Sequence, residues 1–95
     1  MTTTCIVRNI STTITAGGTA QVLAAADAGR GYLMIHNPRT ETTSLLVSLV
    51  GTAVSGSALE LAPGGTMEYV VGVIPTNAIS VLSATTGQKV VAWVS

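Results

Sequence analysis

A hydrolytic triad in this chain would draw on His36, Asp27 and one of its scattered serines, and those residue types alone do not make one. A serine nucleophile needs a strained elbow such as Gly-x-Ser-x-Gly, with a base oriented by an acid. No serine lies in such an elbow, so His36 is read as a strand histidine with a satisfied ring, or as a subunit contact. Glu60 and Glu68 flank one turn, and their spacing predicts two carboxylates facing each other across a hairpin. They are expected to be solvated or cross-strand neighbours rather than an acid/base pair. Cys5 is either a small buried hydrophobe or an exposed residue of the N-terminal lead, since a reactive thiol needs a nearby cation and only Arg8 stands close in sequence. One cysteine and one histidine cannot supply the four ligands of a structural zinc site, and no intrachain disulfide can form. Gly17-Gly18 and Gly64-Gly65 open no helix and precede no P-loop lysine, so they read as turns. The expectation is a chain with no catalytic, metal or cofactor residues.

Composition narrows the classes further. Only 8% of the 95 residues are charged, four of each sign, although 47% are apolar; typical domains are about 25% charged. Arg8, Arg30, Arg39 and Lys89 are scattered, which offers no track for phosphates and speaks against a nucleic-acid partner. No apolar run reaches the roughly 20 residues of a membrane span. The opening Met-Thr-Thr-Thr-Cys has neither the basic nor the apolar region of a secretory signal. A surface with so few charges is either soluble through its hydroxyls or covered by partner chains in a permanent assembly.

The elements that would position these residues are short and β-prone. Gly31–Asn37 reads as a central strand, with Leu33 and Ile35 on one face and Tyr32, Met34 and His36 on the other. Similar alternation marks Cys5–Ile10 continuing to Thr15, Ala20–Ala24, Ser44–Val50 and Ala58–Leu61. It recurs in Thr66–Val71, with Met67, Tyr69 and Val71 together, in Ala78–Ser83, and in Lys89–Val94. Ala25–Ala28 could hold at most one helical turn. Ala62-Pro63-Gly64-Gly65 is expected to form a type II turn with positive φ at glycine, and Gly51–Ser57 a small flexible loop. Trp93 either plugs the core or anchors an interface. Turn signals every 8–12 residues predict an all-β fold, a small sandwich or jelly-roll-like barrel of about eight short antiparallel strands. The expected organisation is an N-terminal arm or first strand over 1–16, ordered by assembly, and a sandwich domain over 17–95.

A set of motifs recurs in one order: Gly18-Thr19-Ala20-Gln21 before an alanine-rich stretch, Arg30-Gly31 leading into Leu33-Met34-Ile35 and Asn37, and Leu45-Leu46-Val47 with Gly51-Thr52-Ala53. Leu61-Ala62-Pro63-Gly64, Ala78-Ile79-Ser80-Val81, Ala84-Thr85-Thr86-Gly87 and Ala92-Trp93 complete it. Over about residues 17–94 this order resembles a family of small all-β head proteins of tailed bacteriophages. Members with an assigned role are capsid decoration, or cement, proteins. The chain departs from the pattern in its single Arg before Gly31 and its long lead, Met1–Ala16. The resemblance implies a structural virion protein on the capsid surface, made in the bacterial host cytoplasm. Its partners would be the major capsid protein and its own copies, as a homodimer or homotrimer, without nucleic acid or membrane. A tail or fibre adaptor and, more remotely, a carbohydrate-binding module are the competing expectations. Candidate assembly contacts are Thr3, Thr4, Cys5 and Ile6, which could add as a strand to a neighbour's sheet edge, together with Tyr32, Met34, His36 and Trp93.

Overall fold

A computed structural model gives the fold, and it describes residues 6–95. Among the described residues there are nine short strands and no helix. They are β1 (Arg8–Asn9), β2 (Thr12–Thr13), β3 (Gln21–Ala24), β4 (Tyr32–His36), β5 (Leu45–Ser48), β6 (Leu59–Leu61), β7 (Thr66–Val70), β8 (Ile79–Leu82) and β9 (Lys89–Val94). One sheet has the order β1-β9-β4-β7, with β2 also on β9, and the other has the order β3-β8-β5-β6. Every pairing is antiparallel. The result is a β-sandwich, as the strand pattern predicts.

The inner faces follow from alternation, because a side chain and its second neighbour share one side of a strand. Leu33 and Ile35 of β4, Leu45 and Val47 of β5, Ile79 and Val81 of β8, and Val90, Ala92 and Val94 of β9 are all buried in one core, which Ile14 and Leu61 complete. Each such Val, Leu or Ile side chain stabilises the fold by about 1.5–3 kcal/mol relative to leaving it in water. The expected extended lead is split. β1 and β2 lie end to end along β9 in one unbroken register, with Ile10 donating to the Ala92 carbonyl between them at 2.8 Å.

Ala25–Ala28 keeps within the limit of one helical turn, as exposed, irregular chain leading to Arg30. Two expectations need correction. Val71 does not point inward with Met67 and Tyr69. β7 ends at Val70, Gly72 takes φ +102°, and Val71 is left 70% exposed. Glu60 and Glu68 do not share a hairpin: the turn between them carries the chain from one sheet to the other, so β6 pairs with β5 and β7 with β4. Gly51–Ser57 is a small loop, exposed at every position but one, that folds over the outer face of the four-stranded sheet. There it buries Ala53, whose N–H donates to Ser80 Oγ at 2.9 Å. The Ala62–Gly65 turn itself is as expected, with Gly64 at φ +89° and Gly65 N–H closing on the Ala62 carbonyl at 2.8 Å.

The strand directions give the sandwich two unlike ends. One end gathers the β4–β5, β6–β7 and β8–β9 connections around a buried polar cluster. Asn37 Nδ2 donates to the carbonyls of Thr43 (3.0 Å) and Leu61 (2.9 Å), and Gln88 Nε2 donates to Asn37 Oδ1 (3.0 Å) and to the Thr43 carbonyl (3.0 Å). Ser83 Oγ donates to Gln88 Oε1. The cluster supplies the buried carbonyls of a strand-crossing region with donors, which an apolar core could not do. The opposite end gathers the β3–β4, β5–β6 and β7–β8 connections with the start of β1 and the end of β9.

Candidate functional site

The residues expected to make assembly contacts fall in two places. Tyr32, Met34 and His36 alternate outward along β4, and the register sets Met34 between Trp93 of β9 and Glu68 of β7. They therefore share the outer face of the five-stranded sheet with Trp93. That placement rules out the core plug for the tryptophan, which is 44% exposed. The Tyr32 hydroxyl donates to Glu68 Oε2 at 2.5 Å, and His36 Nδ1 lies 2.7 Å from Thr66 Oγ1. The His36 ring thus has a hydroxyl partner on the neighbouring strand, and among the described residues no carboxylate hydrogen-bonds to it. Thr3, Thr4 and Cys5 lie outside the described residues. Ile6, the fourth member of the expected arm, is 87% exposed at the entry to β1.

The second place was not legible from strand patterns. The large exposed apolar side chains among the described residues collect at the end that holds the β5–β6 and β7–β8 connections. Val50 and Val54 come from the first of these and Val71 and Val73 from the second, and Ile6, Val7, Leu59, Val70 and Trp93 from the neighbouring strand ends. Val22 adjoins them, lining a shallow groove with Val50, Gly51, Thr52, Asn77 and Ala78. The segments 49–58 and 70–79 contain no charged residue. The opposite end exposes Arg39 and Lys89, with Glu41 half-buried, and no large hydrophobe. The molecule is thus amphipathic from end to end.

A buried arginine holds the valine end in shape. Arg30 is only 5% exposed. Its Nη1 donates to the carbonyls of Pro75 (2.8 Å) and Asn77 (3.0 Å), and its Nη2 to the carbonyl of Ala25 (2.8 Å). Asp27 N–H adds a bond to the Thr76 carbonyl at 2.9 Å. The planar guanidinium fork suits this task, because it presents several donors in fixed directions. Two connections that meet only in the fold are thereby fastened together. Sequence reading gave Arg30 no role; the one available signal was its position between Gly29 and Gly31, directly before the central strand.

Among the described residues no group of three or more His, Cys, Asp or Glu side chains gathers to hold a metal, and no helix is long and apolar enough to cross a membrane. The arrangement offers surfaces: a largely apolar valine end and an adjoining sheet face on which Trp93 is half exposed beside a buried Met34. No protein-family model matches the chain, and no curated protein matches it.

Proposed function

We propose that this chain is a structural virion protein, a decoration or cement protein that binds the outer surface of a phage head and stabilises it, with no enzymatic role. The observation that carries the reading is the valine end. Monomeric soluble proteins scatter their exposed hydrophobes, whereas here they gather at one end around two connections without charge, 49–58 and 70–79, with Arg8 and Asp27 exposed beside them. That is the polarity a cement protein needs, with an apolar foot for the major capsid protein and a hydroxyl- and charge-bearing head for solvent. The order of turn and strand motifs described above supports the same assignment, including its own copies as partners and its place on the capsid surface after synthesis in the host cytoplasm. Repeated weak contacts then add up through effective concentration on the shell.

The test is co-sedimentation of the full chain with phage heads that lack it, followed by cryo-electron microscopy of the particles. Hundreds of copies over the shell are expected. A few copies at one vertex would instead identify a tail adaptor, and no binding would remove the reading. Val50→Asp and Val73→Asp, at positions 84% and 70% exposed in the free chain, should each lower head affinity at least tenfold while leaving the fold intact. That factor is the roughly 1.5 kcal/mol or more expected for losing a buried valine. With a contact centred on connections that carry no charge, occupancy should change little between low and high salt.

A further inference from the structure

Between the two sheets, on the side where β1 and β3 are the edge strands, a cleft of about 290 Å³ opens. Ile10, Leu23, Ala24 and Val94 give it apolar walls, and Arg8, Asp27 and Arg30 supply its charged groups. Arg8 breaks the strand pattern. It stands opposite Val94, a buried core residue, so it lies on the inward side of β1, where alternation calls for an apolar side chain.

Arg30 is the more buried of the two arginines. A guanidinium has five N–H groups, and Arg30 directs three of them to the carbonyls of Ala25, Pro75 and Asn77. Among the described residues no carboxylate pairs with it and no other acceptor takes the remaining two, which belong to Nε and Nη2. Every buried side-chain nitrogen and oxygen among the described residues has a hydrogen-bond partner. Nε bonds none of these carbonyls, so it is open to solvent, and the cleft is where Arg30 meets solvent. Against the two cations stands one carboxylate, Asp27, whose Oδ1 accepts from the Gly29 N–H at 2.9 Å. The cleft therefore holds an uncompensated positive charge between apolar walls. We infer that it is a carboxylate-binding socket, filled by an aspartate or glutamate side chain of the surface on which the valine end stands.

The socket lies at that end, because Arg8 begins β1, Val94 ends β9 and Arg30 sits in the β3–β4 connection. Its chemistry selects among anions. An inorganic phosphate would have to exchange its water for Ile10, Leu23 and Val94, which offer no hydrogen bonds. A carboxylate on a short aliphatic stem sets its methylene groups against those walls and its two oxygens on Nε and Nη2 of Arg30. Arg8 then closes over the mouth. An uncharged apolar group fits the walls but leaves two guanidiniums desolvated without a partner. The volume is at the small end of ligand clefts, which favours one side chain over a whole cofactor. An ion pair enclosed in this way is screened little, so the socket agrees with the weak salt dependence expected of the foot. The inference deepens the decoration reading and rests on it for the source of the carboxylate.

The first test needs no phage head. Butyrate, which reproduces a glutamate side chain from Cα outward, is titrated into the full chain at constant ionic strength while amide shifts are followed by NMR. Shifts at Ile10, Leu23, Ala25 and Asp27 are expected, saturating with a Kd of about 1–10 mM for so small a ligand. Butyramide, which lacks the charge, and phosphate, which lacks the stem, should each bind at least ~10-fold more weakly. Arg8→Gln, at an exposed position, should raise the butyrate Kd at least ~5-fold. Asp27→Asn, which retains an oxygen for the Gly29 N–H, should lower it about 2-fold by removing a like charge. The socket is overturned by no saturable shift up to about 100 mM, by an equal response to butyramide or phosphate, or by Arg8→Gln binding as the parent does.

The second test is co-sedimentation with heads, where Arg8→Gln should lower affinity at least ~5-fold and excess butyrate should compete. If butyrate fills the cleft but Arg8→Gln binds heads as the parent does, the occupant is a free carboxylate and the shell side chain is overturned. If the parent binds no heads, the decoration reading falls and the shell falls with it as the source. The butyrate titration still decides the socket.

Discussion

Replacing Arg30 by methionine tests whether its three carbonyl contacts hold the valine end together. Methionine retains most of the buried volume and removes every donor, so the carbonyls of Ala25, Pro75 and Asn77 lose bonds of 2.8, 2.8 and 3.0 Å. A hydrogen bond to a charged group contributes about 1.5–3 kcal/mol, giving a gross loss of roughly 5–9 kcal/mol. Two effects oppose it. Removing a guanidinium that is 5% exposed relieves a desolvation cost of several kcal/mol. Water also reaches part of the freed backbone, since Ala25 and Asn77 are exposed positions. The net expectation is a loss of about 2–4 kcal/mol, which at ordinary urea m-values moves the unfolding midpoint down by about 1–3 M. Arg30→Lys should fall between, because one ammonium cannot span all three carbonyls. Urea titration followed by circular dichroism gives the stability, and hydrogen exchange at the Asp27 amide, bonded to the Thr76 carbonyl, reports whether the two connections have separated. If Arg30→Met unfolds within about 0.5 kcal/mol of the parent and Asp27 stays protected, the clamp contributes nothing and the argument fails.

The polar cluster at the opposite end should respond in the same direction: Gln88→Leu leaves the Thr43 carbonyl and Asn37 Oδ1 without the Nε2 donor. It should cost about 2–4 kcal/mol by thermal or urea unfolding, with Gln88→Glu no better because a carboxylate cannot donate. Gly17→Ala should destabilise by about 1–3 kcal/mol, read as a lower melting temperature, because the added methyl would meet the Ala84 carbonyl and come within 2.9 Å of the Thr86 nitrogen, both backbone atoms that cannot swing aside. Gly64→Ala, at φ +89° in the turn between β6 and β7, should cost about 1–2 kcal/mol by the same measurement.

Much of this protein was written locally. Alternation along a strand is a property of neighbouring residues, so the inward placement of Leu33, Ile35, Leu45, Val47, Ile79 and Val81, the outward placement of Tyr32, Met34 and His36, the turn at Gly64 and the all-β class could all be read from the chain. What the sequence could not display was which strands lie beside one another. Glu60 and Glu68 look like hairpin partners because they flank a tight turn, yet that turn crosses between sheets, and only the strand order separates them. Trp93 was ambiguous until the register placed it beside Met34 on an outer face. Arg30 and Gln88 looked like ordinary polar residues, and their roles depend on carbonyls up to 47 and 51 residues away in sequence. The valine end is of the same kind. Its side chains come from connections spread from Ile6 to Val73, each unremarkable alone, and strand direction is what brings them to one end. Local pattern fixes which way a side chain points; the company it keeps is set by backbone hydrogen bonding between segments far apart in the chain.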